Sequence, residues 1–306
     1  MIITKLQGGL GNQMFQYALG RHLAHIHNAE LKLDISWFDN MEDNTTPREY
    51  KLKTLNIIEN IAANDEIKRL KKYEQKNGWK YIFHNFLFAD NSIYIKEKQS
   101  SFDKNILKAY DNIYLDGFWQ SEKYFSAKGG SPPKDGQAAS GGKSIESIIR
   151  KEFIFKNPPS EQNKKIAKEI SAINSVSAHI RRGDYINSSQ HGLYGKEYYK
   201  KAEKIIKKKI KDPCFFVFSD DTEWAKKNII FNSKTSYITN NKGVNDYEDM
   251  RLMSMCKHNI IVNSSFSWWG AWLNQNPNKI VIAPREWVKK ERGKTNDRHC
   301  AGWIII

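Results

Sequence analysis

Little in this chain would crosslink it, anchor it or hold a metal. Cysteine occurs only at Cys214, Cys256 and Cys300. An odd number at wide spacing excludes a disulfide framework and a metal-ligand run, and predicts a reducing compartment. No apolar run approaches the roughly 20 residues of a membrane span. The opening MIITKLQGGLGNQ lacks the long apolar core of a secretion signal. The expectation is a soluble, cytoplasmic protein. The glycine turn in that opening does not have the G-x-G-x-x-G spacing of a dinucleotide site, and no Gly-Lys-Ser/Thr follows it as in a P-loop.

What is present is positive charge, aromatics and a regular alternation of strands and helices. The 49 Lys and Arg outnumber the 34 Asp and Glu for a net charge of +15, which points to an anionic partner. Nucleic acid, a nucleotide, a phosphorylated substrate and a membrane surface all remain open on charge alone. The lysines are spread through helical segments rather than gathered in a tail. With 40% apolar residues in 306, a packed core in two ordinary domains is expected.

The first 36 residues read as strand, glycine turn, helix and strand. MIITKL leads into QGGLGNQ, Phe15 to Ile26 follow helical spacing, and LKLDI alternates. Tyr50 to Lys108 is lysine-rich and mostly helical in pattern. NIYLDGFWQSEKYF reads as a strand entering a loop or helix. Residues 126–144, nearly all Gly, Ser, Ala, Pro and Lys, read as a flexible loop or linker. Beyond it, SVSAHI, PCFFVFS, TSYIT, NIIVN and KIVIAP alternate with four helical stretches, the signature of a doubly wound, mostly parallel sheet. The expected architecture is α/β, with two Rossmann-like domains facing each other across a cleft. The expected division is a first domain over 1–145, its last segment the linker, and a second over 146–306.

Ligands of open α/β sheets bind beyond the carboxyl ends of the strands. The polar residues there are Arg181, Arg182 and Asp184; Ser219, Asp220 and Asp221; Asn240 and Asn241; and Asn263, Ser264 and Ser265. Arginine forks suit phosphate oxygens, and a helix beginning near Ser264 would favour an anion. Asp220 or Asp221 suits a base or ribose. The set fits a nucleotide diphosphate better than DNA. Plainer readings stand beside each. Arg182 and Asp184 would pair to fix the turn, Asp220 or Asp221 would cap a helix with Glu223 in a capping box, and Ser265 or Ser267 would be caps. Trp268, Trp269 and Trp272 read as core, and His179 as a buried histidine. Asn12 and Gln13 begin the first helix and would face the cleft, or form only a glycine turn with an Asn cap. The helix KEYYKKAEKIIKKKIK suits an anionic membrane surface, or core packing through Tyr198, Ala202, Ile205, Ile206 and Ile210.

Taken together, GGLGNQMFQYALGR, LDGFWQSEKYF, HIRRGDY, FSDD and NSSFSWWGAWL resemble the bacterial α-1,2-fucosyltransferase family, glycosyltransferase family 11. The resemblance runs from residue 2 to about 290. It implies a GT-B architecture and inverting transfer of L-fucose from GDP-fucose to the 2-hydroxyl of a terminal galactose, as in O-antigen or capsule synthesis. Arg181 would hold the donor pyrophosphate and His179 lie near the nucleoside. Asp220 or Asp221 would contact guanine or ribose. Ser264, Ser265 and Phe266 would hold the phosphates, Asn263 would be a further donor-binding residue, and Asn12 and Gln13 would face the donor from the first domain. For the base, Asp184 and Asp116 are the candidates, or a loose oxocarbenium-like transition state needs none. No Asp-x-Asp occurs, so Arg181 and the helix terminus would replace a metal, and no cofactor or metal is expected. A galactose-terminated, lipid-linked acceptor would fit weak attachment at the inner membrane face. A transferase for another GDP-sugar or linkage is the alternative, and a nucleic-acid-binding α/β protein the more distant one.

Overall fold

A computed structural model describes residues 1–41, 46–72, 93–126, 144–289 and 297–306. It divides into two compact units, Met1–Lys156 and Asn157–Ile306. Most of the linker expected over 126–144 lies outside the described residues.

In the first unit β1 (Ile2–Lys5), α1 (Leu10–Ile26) and β2 (Leu31–Asp34) form the expected βαβ start. α2 (Asn64–Lys71), β3 (Ile93–Lys96), β4 (Ile113–Asp116) and α3 (Ile145–Glu152) follow. The four strands lie in the order β2-β1-β4-β3, every pair parallel. Parallel strands buried on both faces need continuous apolar runs, and Ile2, Ile3, Ile113, Tyr114 and Leu115 are all inaccessible. The mostly helical reading of Tyr50 to Lys108 does not hold for its described residues. They contain one helix of eight residues, short 3-10 turns and β3. Lysine density marks a solvated surface there rather than helical periodicity.

The boundary between units falls later than the expected 145. The reason is α3, whose Glu152 accepts hydrogen bonds from Tyr17 Oη at 2.8 Å and Arg21 Nε at 2.9 Å on α1. Burial and the nearby Glu152 carboxylate push the Tyr17 phenol far above its ordinary range.

The second unit contains α4 (Glu161–Ala172), β5 (Ser175–Ile180), α5 (Lys196–Lys209), β6 (Cys214–Ser219) and α6 (Thr222–Asn228). β7 (Thr235–Tyr237), α7 (Tyr247–Met255), β8 (His258–Ile260), α8 (Ser265–Leu273), β9 (Val281–Ala283) and β10 (Ile304–Ile305) complete it. Its sheet runs β10-β9-β8-β5-β6-β7, all parallel. β10 is an edge strand beyond the five expected.

Alternation sorts β6 cleanly. Phe215 and Val217 pack with Val176, Ala178 and the α5 residues Tyr199, Ala202 and Ile206. Phe216 and Phe218 pack on the other face with Leu252, Met253 and Ile170. The apolar stripe of α5 is therefore core, and its lysines form the solvated outer face. Trp268, Trp269 and Trp272 are buried as core residues. No described helix is long and apolar enough to cross a membrane.

Candidate active site

Because β5 to β8 are parallel, their carboxyl ends deliver Arg181, Asp220, Asn240 and Asn263 to one edge of the second sheet. The centre of that edge is Arg181. Its guanidinium lies 2.7 Å from Asp184 Oδ1 and 3.2 Å from Asp220 Oδ2, and 5.6 Å above the Tyr185 ring. Burial alone would lower its pKa, but Asp220 and Asp184 outweigh that and raise it, so the charge is secure.

The expected Arg182–Asp184 pair does not form. A 3-10 turn over Gly183–Tyr185 aligns side chains three apart, and this returns Asp184 to Arg181. Arg182 instead meets Asp221 Oδ2 at 3.3 Å and stacks 3.8 Å from the Trp224 ring centre, a cation–π contact. Its backbone N–H donates to Asp220 Oδ1 at 2.9 Å. A Cβ at 183 would stand 2.8 Å from Asp220 Oδ2, so a larger residue there would have to displace that carboxylate.

Asp221 is the helix cap of the two aspartates, accepting the Trp224 N–H at 3.1 Å from the N-cap position of α6. The reciprocal half of a capping box is not made by Glu223, which bonds Lys226. Asp220 serves Arg181 and the Arg182 backbone, so both acids are already engaged within the unit.

His179 is 4% exposed, with its ring 5.9 Å from Phe266. Burial, then the nearby Arg181 charge, depresses its pKa to about 3, so the ring is neutral. Its Nδ1 has no hydrogen-bond partner. It is a buried histidine with an unmet polar atom at the site's edge.

Ser264 occupies the N-cap of α8, but its side chain makes no capping bond. The Ser267 hydroxyl bonds back to the Ser264 carbonyl at 3.2 Å. The start of α8 thus keeps backbone donors and the Ser264 side chain uncommitted to capping. Asn263, expected among the donor-binding residues, has its side-chain amide engaged within the unit. Its amide donates to Gly192 O at 3.1 Å and Trp287 O at 3.0 Å, while its own carbonyl accepts from Tyr185 Oη. Its side chain straps two loops together, with both amide N–H groups engaged.

Beyond β7, Asn240 and Asn241 join Asn163 in an amide network ending at Asp249, whose Oδ1 accepts from Asn241 Nδ2 at 2.8 Å. Asp249 was not singled out by sequence reasoning. Its only sign there is an acid three places from Asp246 in DYEDMRLM. Burial, with Asp246 and Glu248 nearby and against the Asn241 bond, raises its pKa to about 7. A raised carboxyl pKa favours the folded state at low pH, and that advantage is lost as pH climbs from the unfolded value of about 4 towards 7. Asp249→Asn should therefore raise the melting temperature at pH 8, with the gain shrinking towards pH 5. Melting curves of both proteins across that range check this; an equal shift at every pH would refute it.

The first unit's residues divide. Asn12 accepts from Gln120 Nε2 at 2.9 Å, joining the GGLGNQ and LDGFWQ motifs. Gly8, at φ +74°, leaves room for the Asn12 amide that a Cβ would strike at 2.6 Å. Gln13 is withdrawn from donor binding, because it is fully buried and its amide is consumed internally. It donates to Gly8 O and Glu49 O, both at 2.9 Å, and accepts from Lys51 N and Leu52 N. Asp116 ends β4 with Lys5 Nζ 3.1 Å from Oδ1 and Tyr94 Oη on Oδ2. As choices of base, Asp116 and Asp184 are both carboxylates held by cations.

Two units, each a parallel sheet with helices and one presenting an arginine at its carboxyl edge, make a fold of the GT-B class. A solved mutant of Arabidopsis thaliana FUT1 in complex with GDP shares this fold, with TM-score 0.50, 10% identity and coverage of 92% of this chain and 70% of that one. Residues 157–306 match the model of Glycosyl transferase family 11. An alpha-1,2-colitosyltransferase of Escherichia coli is 34% identical over 323 positions, covering 100% of this chain and 99% of its own. The O-antigen biosynthesis glycosyltransferase WbnK of Escherichia coli is 34% identical over 300 positions, covering 92% and 93%. Human galactoside alpha-(1,2)-fucosyltransferase 1 is 28% identical over 103 residues, 32% of this chain and 28% of its own. The chain belongs to glycosyltransferase family 11.

Proposed function

We propose that this protein transfers L-fucose from GDP-fucose to the 2-hydroxyl of a terminal galactose, with inversion at the anomeric carbon. The observation that carries the reading is Arg181, at the carboxyl end of β5, near the uncapped start of α8. As the glycosidic bond breaks, negative charge grows on the departing GDP, and preorganised cations and N–H groups lower that barrier. In this reading Arg181 and the α8 N-terminus supply what a divalent metal supplies elsewhere, so no metal is needed. Unit 2 binds the donor, and unit 1 carries the acceptor side. His179 and Phe266 border the nucleoside, and Ser264 and Ser265 meet phosphate oxygens.

A second reading keeps the fold and the α-1,2 linkage but takes another GDP-sugar. It is favoured by the whole-length similarity to a protein named as a colitosyltransferase. Transfer from GDP-fucose, GDP-colitose and GDP-mannose to a panel of galactose-terminated glycans, with linkage analysis and with EDTA in one arm, separates these. The expected result is α-1,2-fucosyl product at an unchanged rate in EDTA. Preferred use of another donor would select the second reading. Activity lost in EDTA and regained with magnesium or manganese would overturn the metal-free mechanism.

A further inference from the structure

We propose that His191 is a further residue of the donor site, taking up a proton as the sugar-nucleotide diphosphate binds. The proposal rests on the donor reading above. Its structural basis is the loop that follows HIRRGDY.

The His191 ring stacks on Tyr185 at 4.3 Å and 17°, and Tyr185 in turn lies under the Arg181 guanidinium. Ser188 Oγ fixes the ring through Nδ1 at 3.1 Å, while accepting the backbone N–H of His191 itself. The next residue is pinned as well, since Asn263 holds Gly192 O. Asn263 immediately precedes Ser264, the N-cap of α8. The ring is thus fixed to the turn that carries Arg181, and the residue after it to the residue that precedes the α8 N-cap.

The charges around the ring make it responsive to an anion. Burial is the strongest influence lowering its pKa, and Arg298, Arg181 and Lys289 lower it further. Asp184 is the one carboxylate pulling the other way, and Asp184 already serves Arg181. The remaining neighbours, Tyr185 and Ser188, are uncharged, and Lys289 is tied to the loop through Ser188 O at 2.9 Å. Burial first, and then Arg298, Arg181 and Lys289 against Asp184, hold the His191 pKa below its ordinary value. A diphosphate brings two negative charges to Arg181 and reverses that balance. The imidazole then gains a proton from solvent and becomes an additional cation facing the phosphates, as linkage requires.

GDP-fucose is the probe, because its phosphates carry no proton that titrates near neutral pH. Titration calorimetry at pH 7.5 in phosphate and in Tris gives the protons exchanged on binding. The wild type should take up a substantial fraction of one proton. Its affinity should weaken several-fold per unit from pH 7 to 8.5, with about tenfold as the one-proton limit. His191→Gln should bind more weakly, with neither the buffer dependence nor the pH slope. If that variant does not fold, the imidazole resonances of the wild type, titrated with and without GDP-fucose, give the same answer through an upward shift of one histidine. Binding with no proton uptake, or the same uptake in His191→Gln, overturns the proposal alone. Absence of any GDP-fucose binding would remove the donor reading and this proposal together.

Discussion

Replacing Arg181 with alanine should lower transfer by about 10²–10³-fold, the usual cost of deleting one preorganised donor at a developing negative charge. GDP affinity should fall as well. The effect exceeds loss of a simple contact, because Asp184 and Asp220 both depend on this guanidinium. Without it, two carboxylates face the incoming diphosphate with no cation between them. Arg181→Lys should recover part of the binding but little of the rate, since an ammonium cannot serve two acids and a phosphate in one plane. Initial rates and calorimetric GDP binding for the two variants check this. Near-normal transfer by Arg181→Ala would remove the site from this edge of the sheet.

Gln13→Ala should have a different signature, a large loss of stability with GDP affinity intact. The side chain satisfies four backbone groups, in its own turn and in the segment Glu49 to Leu52. Its removal leaves them without partners in a fully buried position. Buried polar groups left unpaired cost about 1–3 kcal/mol each. With partial relaxation, about 3–5 kcal/mol is expected. For a unit of this size that is a fall of about 10 °C in melting temperature. Thermal unfolding followed by GDP titration at low temperature separates the two roles. Weak GDP binding in a fully folded variant would restore Gln13 to the donor site.

These two residues show what sequence reasoning could reach. The place of Arg181 at the sheet edge was legible because it follows an alternating apolar strand. Gln13 stood beside glycines in a turn, the same local picture as a ligand contact. Three of its four partners lie 36 to 39 residues away in a segment with no motif. The bonds of the Asn263 amide were hidden in the same way, since Gly192 and Trp287 are remote in sequence. The exchange of partners between Arg181 and Arg182 depended on a turn too short for periodicity to resolve. His191 and Asp249 gave almost no sign, because their properties come from charges and burial contributed by other segments.

The sequence by itself determined the α/β class, most strands of the second sheet and the family. Those follow from local alternation and contiguous motifs, which need no knowledge of distant contacts. Only the tertiary structure decided where the first unit ends, which acid pairs with which arginine, and which amides are structural. Those depend on side chains brought together from separate segments, where burial and a few ångströms of placement decide whether a polar group is free to meet a ligand.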